Sequence, residues 1–145
     1  MAPYVSANVV DLIPGIAQPE GPLTTGYLSQ IPITLTNVGN LTSSGVHTAV
    51  LTLPANISGP ASPFVDNGWS CGATVGVTVT CTKTMNIAWL GNDTFRIPVI
   101  PLPAAGGTNV TFNVAISNPG DSNTANNTAF ATNAVVSATI AYSPG

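Results

Sequence analysis

Apolar and polar residues alternate with a period of two along most of the chain. The clearest case is residues 109–116, where Val110, Phe112, Val114 and Ile116 are interleaved with polar or small residues. Such alternation is typical of an antiparallel strand that buries one face and exposes the other. No segment shows the periodicity of a helix of several turns. The pattern predicts strands near residues 8–16, 27–37, 46–53, 68–73, 76–84, 94–102, 108–117 and 126–136.

Turn-forming residues separate these predicted strands. The chain has 14 Gly and 13 Pro, and many of them cluster with Asn or Asp between the apolar runs. Many short strands joined by frequent turns favour a β-sandwich or a barrel, and the unequal strand lengths favour the sandwich. Pro32 and Pro98 lie within predicted strands. Because proline has no N–H to donate to a neighbouring strand, they indicate edge positions or bulges.

The composition narrows the function classes. Charged residues make up only 5% of the chain, compared with about 25% in a typical soluble domain. Lys83 and Arg96 are the only two cations, too few to neutralise a run of phosphates, so we expect no nucleic-acid partner. No apolar run reaches the roughly 18 residues of a membrane helix, so we expect no membrane insertion. Thr, Asn and Ser supply the polar surface instead of charge.

The length of 145 residues fits one domain. We expect a sandwich over residues 9–136, an N-terminal extension over residues 1–8, and a C-terminal extension or linker over residues 137–145. The first residues have neither the basic nor the apolar region of a signal peptide. This pattern indicates either a piece of a larger secreted protein or a protein without a signal, such as a virion component.

Cys71 and Cys81 are the only cysteines and flank a predicted strand–turn–strand segment. A hairpin would bring them together, and a disulfide closing a loop of about 11 residues would stabilise the fold by roughly 2–3 kcal/mol. Two sulfurs without a nearby histidine do not form a zinc site. We therefore predict a disulfide. It indicates an oxidising compartment and hence an extracellular or cell-surface location.

The sequence offers little catalytic chemistry, and we predict no enzyme activity, no cofactor and no metal. His47 is the single histidine, and without a Gly-x-Ser-x-Gly segment a structural role is favoured over a Ser–His–Asp triad. The loop at residues 121–127 offers calcium one carboxylate, Asp121, and several amide oxygens. We favour the alternative in which these side chains bond to the backbone of their own turn.

Two aromatic residues outside the strand pattern are candidate contact residues for surface glycans or proteins. Trp89 lies in the apolar loop segment 85–90, which a core does not readily explain, and Tyr142 lies in the C-terminal tail. Trp69, by contrast, is expected to pack over the Cys71–Cys81 disulfide.

Several short motifs follow one another along residues 9–136. They are VDL at 10–12, ITLTNVG at 33–39, LTLPAN at 51–56, GWSC at 68–71 with VTCT at 79–82, LPAAGG at 102–107 and DSNTANNTA at 121–129. In this order they resemble the prokaryotic surface-repeat domain known as domain of unknown function eleven, a relative of the CARDB cell-adhesion-related domain. The resemblance implies an immunoglobulin-like sandwich, repeated in large secreted or surface-anchored proteins and without catalytic residues.

Together these observations predict an all-β protein, an immunoglobulin-like antiparallel β-sandwich of about seven or eight strands with one hairpin disulfide. The predicted function is a non-catalytic structural module of an extracellular or cell-surface protein, a stalk or adhesion repeat. Its partners would be neighbouring modules or copies of itself. One alternative is a self-assembling filament subunit or virion decoration protein that uses terminal strand contacts. The other is a carbohydrate-binding module.

Overall fold

The chain folds almost entirely into β-strands. The computed structural model describes residues 8–17 and 21–138. Their helical elements are two 3-10 turns, Pro103–Ala105 and Thr124–Asn126. Among these residues, no helix has the length and apolar character needed to span a membrane. The strands are β1 (Leu12–Ile16), β2 (Leu23–Thr24), β3 (Ser29–Asn37), β4 (Val46–Thr52), β5 (Ile57–Ser58), β6 (Phe64–Asp66), β7 (Trp69–Cys71), β8 (Thr78–Thr84), β9 (Asn92–Pro101), β10 (Asn109–Ser117) and β11 (Thr128–Val136).

The strands form two sheets that share one apolar core. The smaller sheet has the order β1-β3-β9-β5, and the larger has the order β2-β11-β10-β4-β8-β7-β6. Every pair is antiparallel except β2 with β11. Alternate residues of the long strands are buried, for example Ile31, Ile33 and Leu35 in β3 and Phe112 and Val114 in β10. Burying each such side chain contributes roughly 1.5–3 kcal/mol to the free energy of folding. The period-two pattern therefore determines which residues form the core.

The predicted hairpin disulfide is confirmed. Strands β7 and β8 pair with Cys71 directly opposite Cys81, and the two cysteines are joined. The chain reverses between Val75 and Thr78, whose backbones exchange hydrogen bonds of 2.9 and 3.0 Å. Gly76 occupies the first central position of this turn with a φ of 61°. Two-residue hairpin turns favour glycine at such a position, because other residues are strained there.

One open edge of the smaller sheet runs along β9, and it is closed by side chains and a proline. The backbone N–H of Arg96 donates to Asp66 Oδ2 at 2.8 Å. The carbonyl of Thr94 accepts from Asn67 Nδ2 at 2.7 Å. Pro98, two residues further along the same side, has no N–H. This part of β9 therefore offers little to an added strand.

The opposite edge, β1, is protected in a similar way. Ala17 donates its N–H to Pro32 O at 3.1 Å, so the backbone groups of alternate residues of β1 face β3. The backbone groups of Leu12, Pro14 and Ile16 therefore face away from β3, toward the open edge. The N–H of Leu12 is taken by Asp121 Oδ1 at 3.2 Å, and Pro14 has no N–H. Strand addition at this edge is therefore disfavoured as well. The predicted terminal strand contacts involve residues that lie mostly outside the described part of the chain.

The structure corrects the predicted strands in three respects. Residues 8–17 and 21–138 form eleven strands, because β2, β5 and β6 are too short for alternation to reveal them. The strand predicted from residue 8 begins only at Leu12, and before it Val10 forms an isolated bridge with Asp121. Pro32 lies in the central strand β3 rather than at an edge. It is tolerated because β1 has just ended beside it, whereas Pro98 does face an open edge, as predicted.

The described chain enters and leaves the sandwich at opposite ends. Residues 8–11 lie beside the β10–β11 loop, where Val10 bridges Asp121. From that loop β11 runs to the other end, where Val135 bonds to Thr108 and the N–H of Ala138 donates to Thr25 Oγ1 at 2.9 Å. Nine residues of strand span about 30 Å. The predicted boundaries of the two terminal extensions stay predictions, since most of both extensions lies outside the described residues.

Candidate functional site

Four segments meet at the end of the sandwich where the described chain enters. We call this the loop end, and it consists of residues 8–11, 38–45, 85–91 and 118–127. Backbone hydrogen bonds tie the segments together: Leu41 N donates to Val9 O at 3.0 Å, and Ser122 N donates to Val10 O at 2.8 Å. The buried polar clamps, the acidic loop and the exposed Trp89 all lie in or against these segments, so the loop end is the candidate functional site.

Asn37 holds three of these segments from inside. It is fully buried, with 0% of its surface exposed. Its Oδ1 accepts from Asp11 N at 3.3 Å and Gly39 N at 3.0 Å, and its Nδ2 donates to Leu41 O at 2.8 Å and Ile87 O at 2.9 Å. A carboxamide can make four hydrogen bonds, and all four are used here. The asparagine of the ITLTNVG motif is therefore a structural clamp.

Asn118 performs a similar task on the other side of the loop end. Its Nδ2 donates to Ser44 O at 2.9 Å and Val46 O at 3.0 Å, and its Oδ1 accepts from Gly120 N at 3.0 Å. These bonds connect the β10–β11 loop to the start of β4. The two asparagines fix the loop backbones without any charged group.

His47 forms a buried pair with Ser43. Its Nε2 lies 2.8 Å from Ser43 Oγ, and its Nδ1 lies 3.0 Å from Gly45 O. Because Gly45 O can only accept, Nδ1 carries the proton and Nε2 accepts from the Ser43 hydroxyl, which in turn accepts from Ile87 N at 3.0 Å. The distance matches that of a catalytic Ser–His pair, but both residues are 0% exposed. A substrate does not reach them in this arrangement, and their role here is structural.

The burial of His47 leads to a pH-dependent prediction. Burial lowers the pKa of His47 below its ordinary value of 6.5, although the hydrogen bond to Gly45 opposes the shift. Below pH 6.5 the unfolded chain therefore takes up a proton that the folded chain does not. We expect the free energy of unfolding to be constant above this pH and to fall below it, by at most about 1.4 kcal/mol per pH unit.

Urea denaturation at pH steps between about 7.5 and 5 measures this effect, since carboxylates titrate mainly near pH 4. His47→Gln is the matched control, because no other histidine is present. Its stability should be lower overall and flat across the same range. An equal slope in both proteins would contradict the assignment.

Exposed apolar side chains surround these buried clamps. Trp89 is 62% exposed and Leu90 63%, and Val38 and Leu41 are 41% and 46% exposed. The backbone N–H of Leu90 donates to Asn37 O at 2.7 Å, and Leu41 O accepts from the Asn37 side chain. The four exposed apolar residues therefore lie around Asn37. Trp89 is thus on the surface, where the predicted contact residue should be. Tyr142, its predicted companion, lies outside the described residues, and the contact role of both stays a prediction.

Trp69 lies elsewhere, in the core between the sheets. Its ring stacks on Phe95 with centroids 4.2 Å apart, and its Nε1 donates to Asp93 Oδ2 at 2.7 Å. Lys83 Nζ reaches the same Oδ2 at 3.0 Å. Trp69 and Cys71 are both buried residues of β7, and the indole stacks on Phe95, a partner that the sequence did not identify. The packing of Trp69 over the disulfide stays a prediction.

The acidic loop is bonded to backbone, as favoured from the sequence. Asp121 Oδ1 accepts from Asn123 N at 3.3 Å, and Asn123 Oδ1 accepts from Ala125 N at 3.2 Å. The structure also brings a second carboxylate to the loop, since Asn126 Nδ2 donates to Asp11 Oδ1 at 2.9 Å. Sequence reasoning missed Asp11, which is 115 residues from its partner. Among the described residues, no group of three His, Cys, Asp or Glu side chains could hold a metal.

Two sheets of this kind, sharing one core, define an immunoglobulin-like β-sandwich. Neither a protein-family model nor a curated protein matches the chain. Solved structures do match its fold. The CARDB domain of the PF1109 protein from Pyrococcus furiosus, described in complex with di-metal ions, has a TM-score of 0.59 at 13% identity, covering 92% of this chain and 100% of that domain.

Two further structures are similar. A cohesin module from a family 33 glycoside hydrolase of Clostridium perfringens has a TM-score of 0.58 at 8% identity, covering 91% of this chain and all of the module (100%). BslA, a bacterial hydrophobin, has a TM-score of 0.51 at 21% identity, covering 91% of this chain and 97% of BslA. These identities support the fold alone. The CARDB-like fold is confirmed, whereas the resemblance to domain of unknown function eleven stays a prediction.

Proposed function

We propose that the chain is a non-catalytic spacer module, a stalk or adhesion repeat, of an extracellular or cell-surface protein. The observation that carries this proposal is where the first and last described residues lie. Residues 8 and 138 lie at opposite ends of the sandwich, so the domain adds its full length to any chain of modules that contains it. The Cys71–Cys81 disulfide supports an oxidising compartment.

The strand arrangement also suits a domain under tension. Force applied through the two ends would pull β1 along β3, from the Leu12–Asn37 pair to the Ile16–Ile33 pair. Hydrogen bonds in an antiparallel pair run perpendicular to the strands, so this direction loads them all together rather than one at a time. The similarity to a CARDB domain and a cohesin module, which are parts of larger proteins, supports the same role.

Single-molecule pulling tests the proposal. With handles at the two termini, we expect one cooperative rupture at high force. The matched control places one handle at the N-terminus and the other in the loop at residues 38–45, which lies at the same end of the sandwich. That geometry unzips β1 from β3, so rupture should need several-fold less force. Equal rupture forces in the two geometries would argue against a spacer.

The outer face of the larger sheet favours a second candidate function, the face-to-face association of two copies. About twenty side chains point outward from β11, β10, β4, β8, β7 and β6, as many as one side of a typical protein interface. The register shows that none of them is charged. Two such faces would meet without electrostatic repulsion. The centre of the face consists of Thr48, Val50, Thr52, Thr78, Thr80, Thr82, Asn113 and Ala115.

Sedimentation velocity over a wide range of concentrations tests this assembly. We expect the chain to associate and the variants Val50→Glu and Phe130→Glu to stay monomeric, because each buries a carboxylate in the contact between the two faces. Gln30→Glu is the matched control, an exposed position on the smaller sheet. A monomeric parent chain, or association that survives both variants, would rule out this face as the contact.

A further inference from the structure

Three side-chain oxygens of the β10–β11 loop are enclosed by protein and accept no hydrogen bond from the described residues. They are Asp121 Oδ2, Asn126 Oδ1 and Asn127 Oδ1. Asn127 is only 7% exposed. More than about 90% of buried polar groups in folded proteins have a hydrogen-bond partner, and each one left without a partner is destabilising. Three unpaired acceptors in one loop therefore call for a ligand that oxygens bind.

A second negative charge lies beside them. Asp11 Oδ1 accepts from Asn126 Nδ2 at 2.9 Å, and Asp121 Oδ1 accepts from Leu12 N at 3.2 Å. The two carboxylates therefore flank the same peptide unit, the one between Asp11 and Leu12. Within the described part of the chain, the only ion pair is between Lys83 and Asp93. No cationic side chain there neutralises Asp11 or Asp121.

The chemistry of the three atoms selects the kind of ligand. All of them are acceptors, and a water molecule has two hydrogens, so one water can satisfy at most two of them. A metal cation, in contrast, can bind several oxygen ligands at once. Hard cations such as calcium prefer carboxylate and amide oxygens, and calcium tolerates the irregular geometry of a loop.

We propose that Asp11, Asp121, Asn126 and Asn127 hold a calcium ion that fastens the start of β1 to the β10–β11 loop. Two carboxylates are few for a calcium site, and water would complete the coordination. The affinity should therefore fall in the range of extracellular modules, with a Kd of about 10⁻⁴–10⁻³ M. The site does not depend on the spacer role, since it would stabilise the domain in any setting.

Calorimetric titration with calcium chloride, together with thermal unfolding in calcium and in a chelator, tests the site. We expect saturable binding with one ion per chain and a Tm that rises to a plateau. Asp121→Asn should weaken binding by about tenfold or more, because it removes one of two charges. Asp66→Asn is the matched control. Asp66 is a carboxylate on β6 that accepts from the backbone N–H of Arg96, and the substitution should leave the calcium affinity unchanged.

A gain-of-function variant keeps the proposal falsifiable if Asp121→Asn unfolds. Asn127→Asp adds a third carboxylate, so it should tighten calcium binding and lower the Tm in the chelator. Absence of saturable binding up to about 10 mM calcium, an order of magnitude above the expected Kd, would overturn the site. Binding that both variants leave unchanged would equally overturn it, because it would show that calcium sits elsewhere on the surface.

Discussion

Replacing Asn37 with alanine is expected to lower the free energy of unfolding by about 3–5 kcal/mol, a large share of the roughly 5–15 kcal/mol of a typical domain. The substitution removes four hydrogen bonds. It leaves Asp11 N, Leu41 O and the buried Gly39 N without their partner, whereas Ile87 O keeps its hydrogen bond from Ser43 N at 2.9 Å. Each buried group that loses its partner costs about 1–3 kcal/mol. Urea denaturation followed by circular dichroism measures the loss.

Two variants show whether the cost comes from the hydrogen bonds. Asn37→Asp keeps the size of the side chain but turns an oxygen toward Leu41 O and Ile87 O, so it should be at least as destabilising as alanine. Asn113→Ala removes an asparagine from the exposed face of β10 and should change stability by less than about 0.5 kcal/mol. If Asn37→Ala behaved like Asn113→Ala, the clamp would have no energetic role.

Replacing Trp69 with alanine is expected to cost about 3–5 kcal/mol, because it opens a cavity in the centre of the core. Trp69 is fully buried and stacks on Phe95. The variant also removes the N–H that donates to Asp93 Oδ2. Asp93 keeps Lys83 and Asn67 as partners, so most of the loss should come from packing.

The chain has an internal control for this substitution. Trp89 is 62% exposed, so Trp89→Ala removes the same side chain with little loss of packing and should cost less than about 0.5 kcal/mol. Trp69→Phe should fall between the two alanine variants, since it retains a ring to stack on Phe95. Similar losses for Trp69→Ala and Trp89→Ala would mean that the indole–Phe95 stack is not central to stability.

The long strands could be predicted because burying one face of a strand requires an apolar residue at every second position. The alternation of Val110, Phe112, Val114 and Ile116 identified β10 to within one residue. Strands of two or three residues are too short to show this alternation. Strand β6 pairs with β7 across the two-residue turn Asn67–Gly68, and Asp66 and Asn67 also bond to the exposed edge of β9, 26 to 30 residues away. Contacts of this kind arise only from the tertiary fold.

The candidate site was predictable only in part, for the same reason. The local turn of Asp121, Asn123 and Ala125 followed from residue types that bond their own backbone. The position of Asp11 beside this loop could not be predicted from residue types, because Leu12 and Asp121, which bond to each other, are 109 residues apart. Asn37 stood in a recognisable motif, yet its bond to Ile87 O spans 50 residues. Sequence reasoning found the residues and missed their long-range partners.

The hairpin disulfide also sets how far an unfolded domain can stretch. Cys71 and Cys81 are ten residues apart, and an extended chain gains about 3.5 Å per residue, so the bridge withholds about 35 Å of contour length. That length becomes available only after chemical reduction. In a tether made of such domains, the redox state of the surroundings would therefore change the maximum reach by about 35 Å for each unfolded domain, independently of the force that unfolds each sandwich.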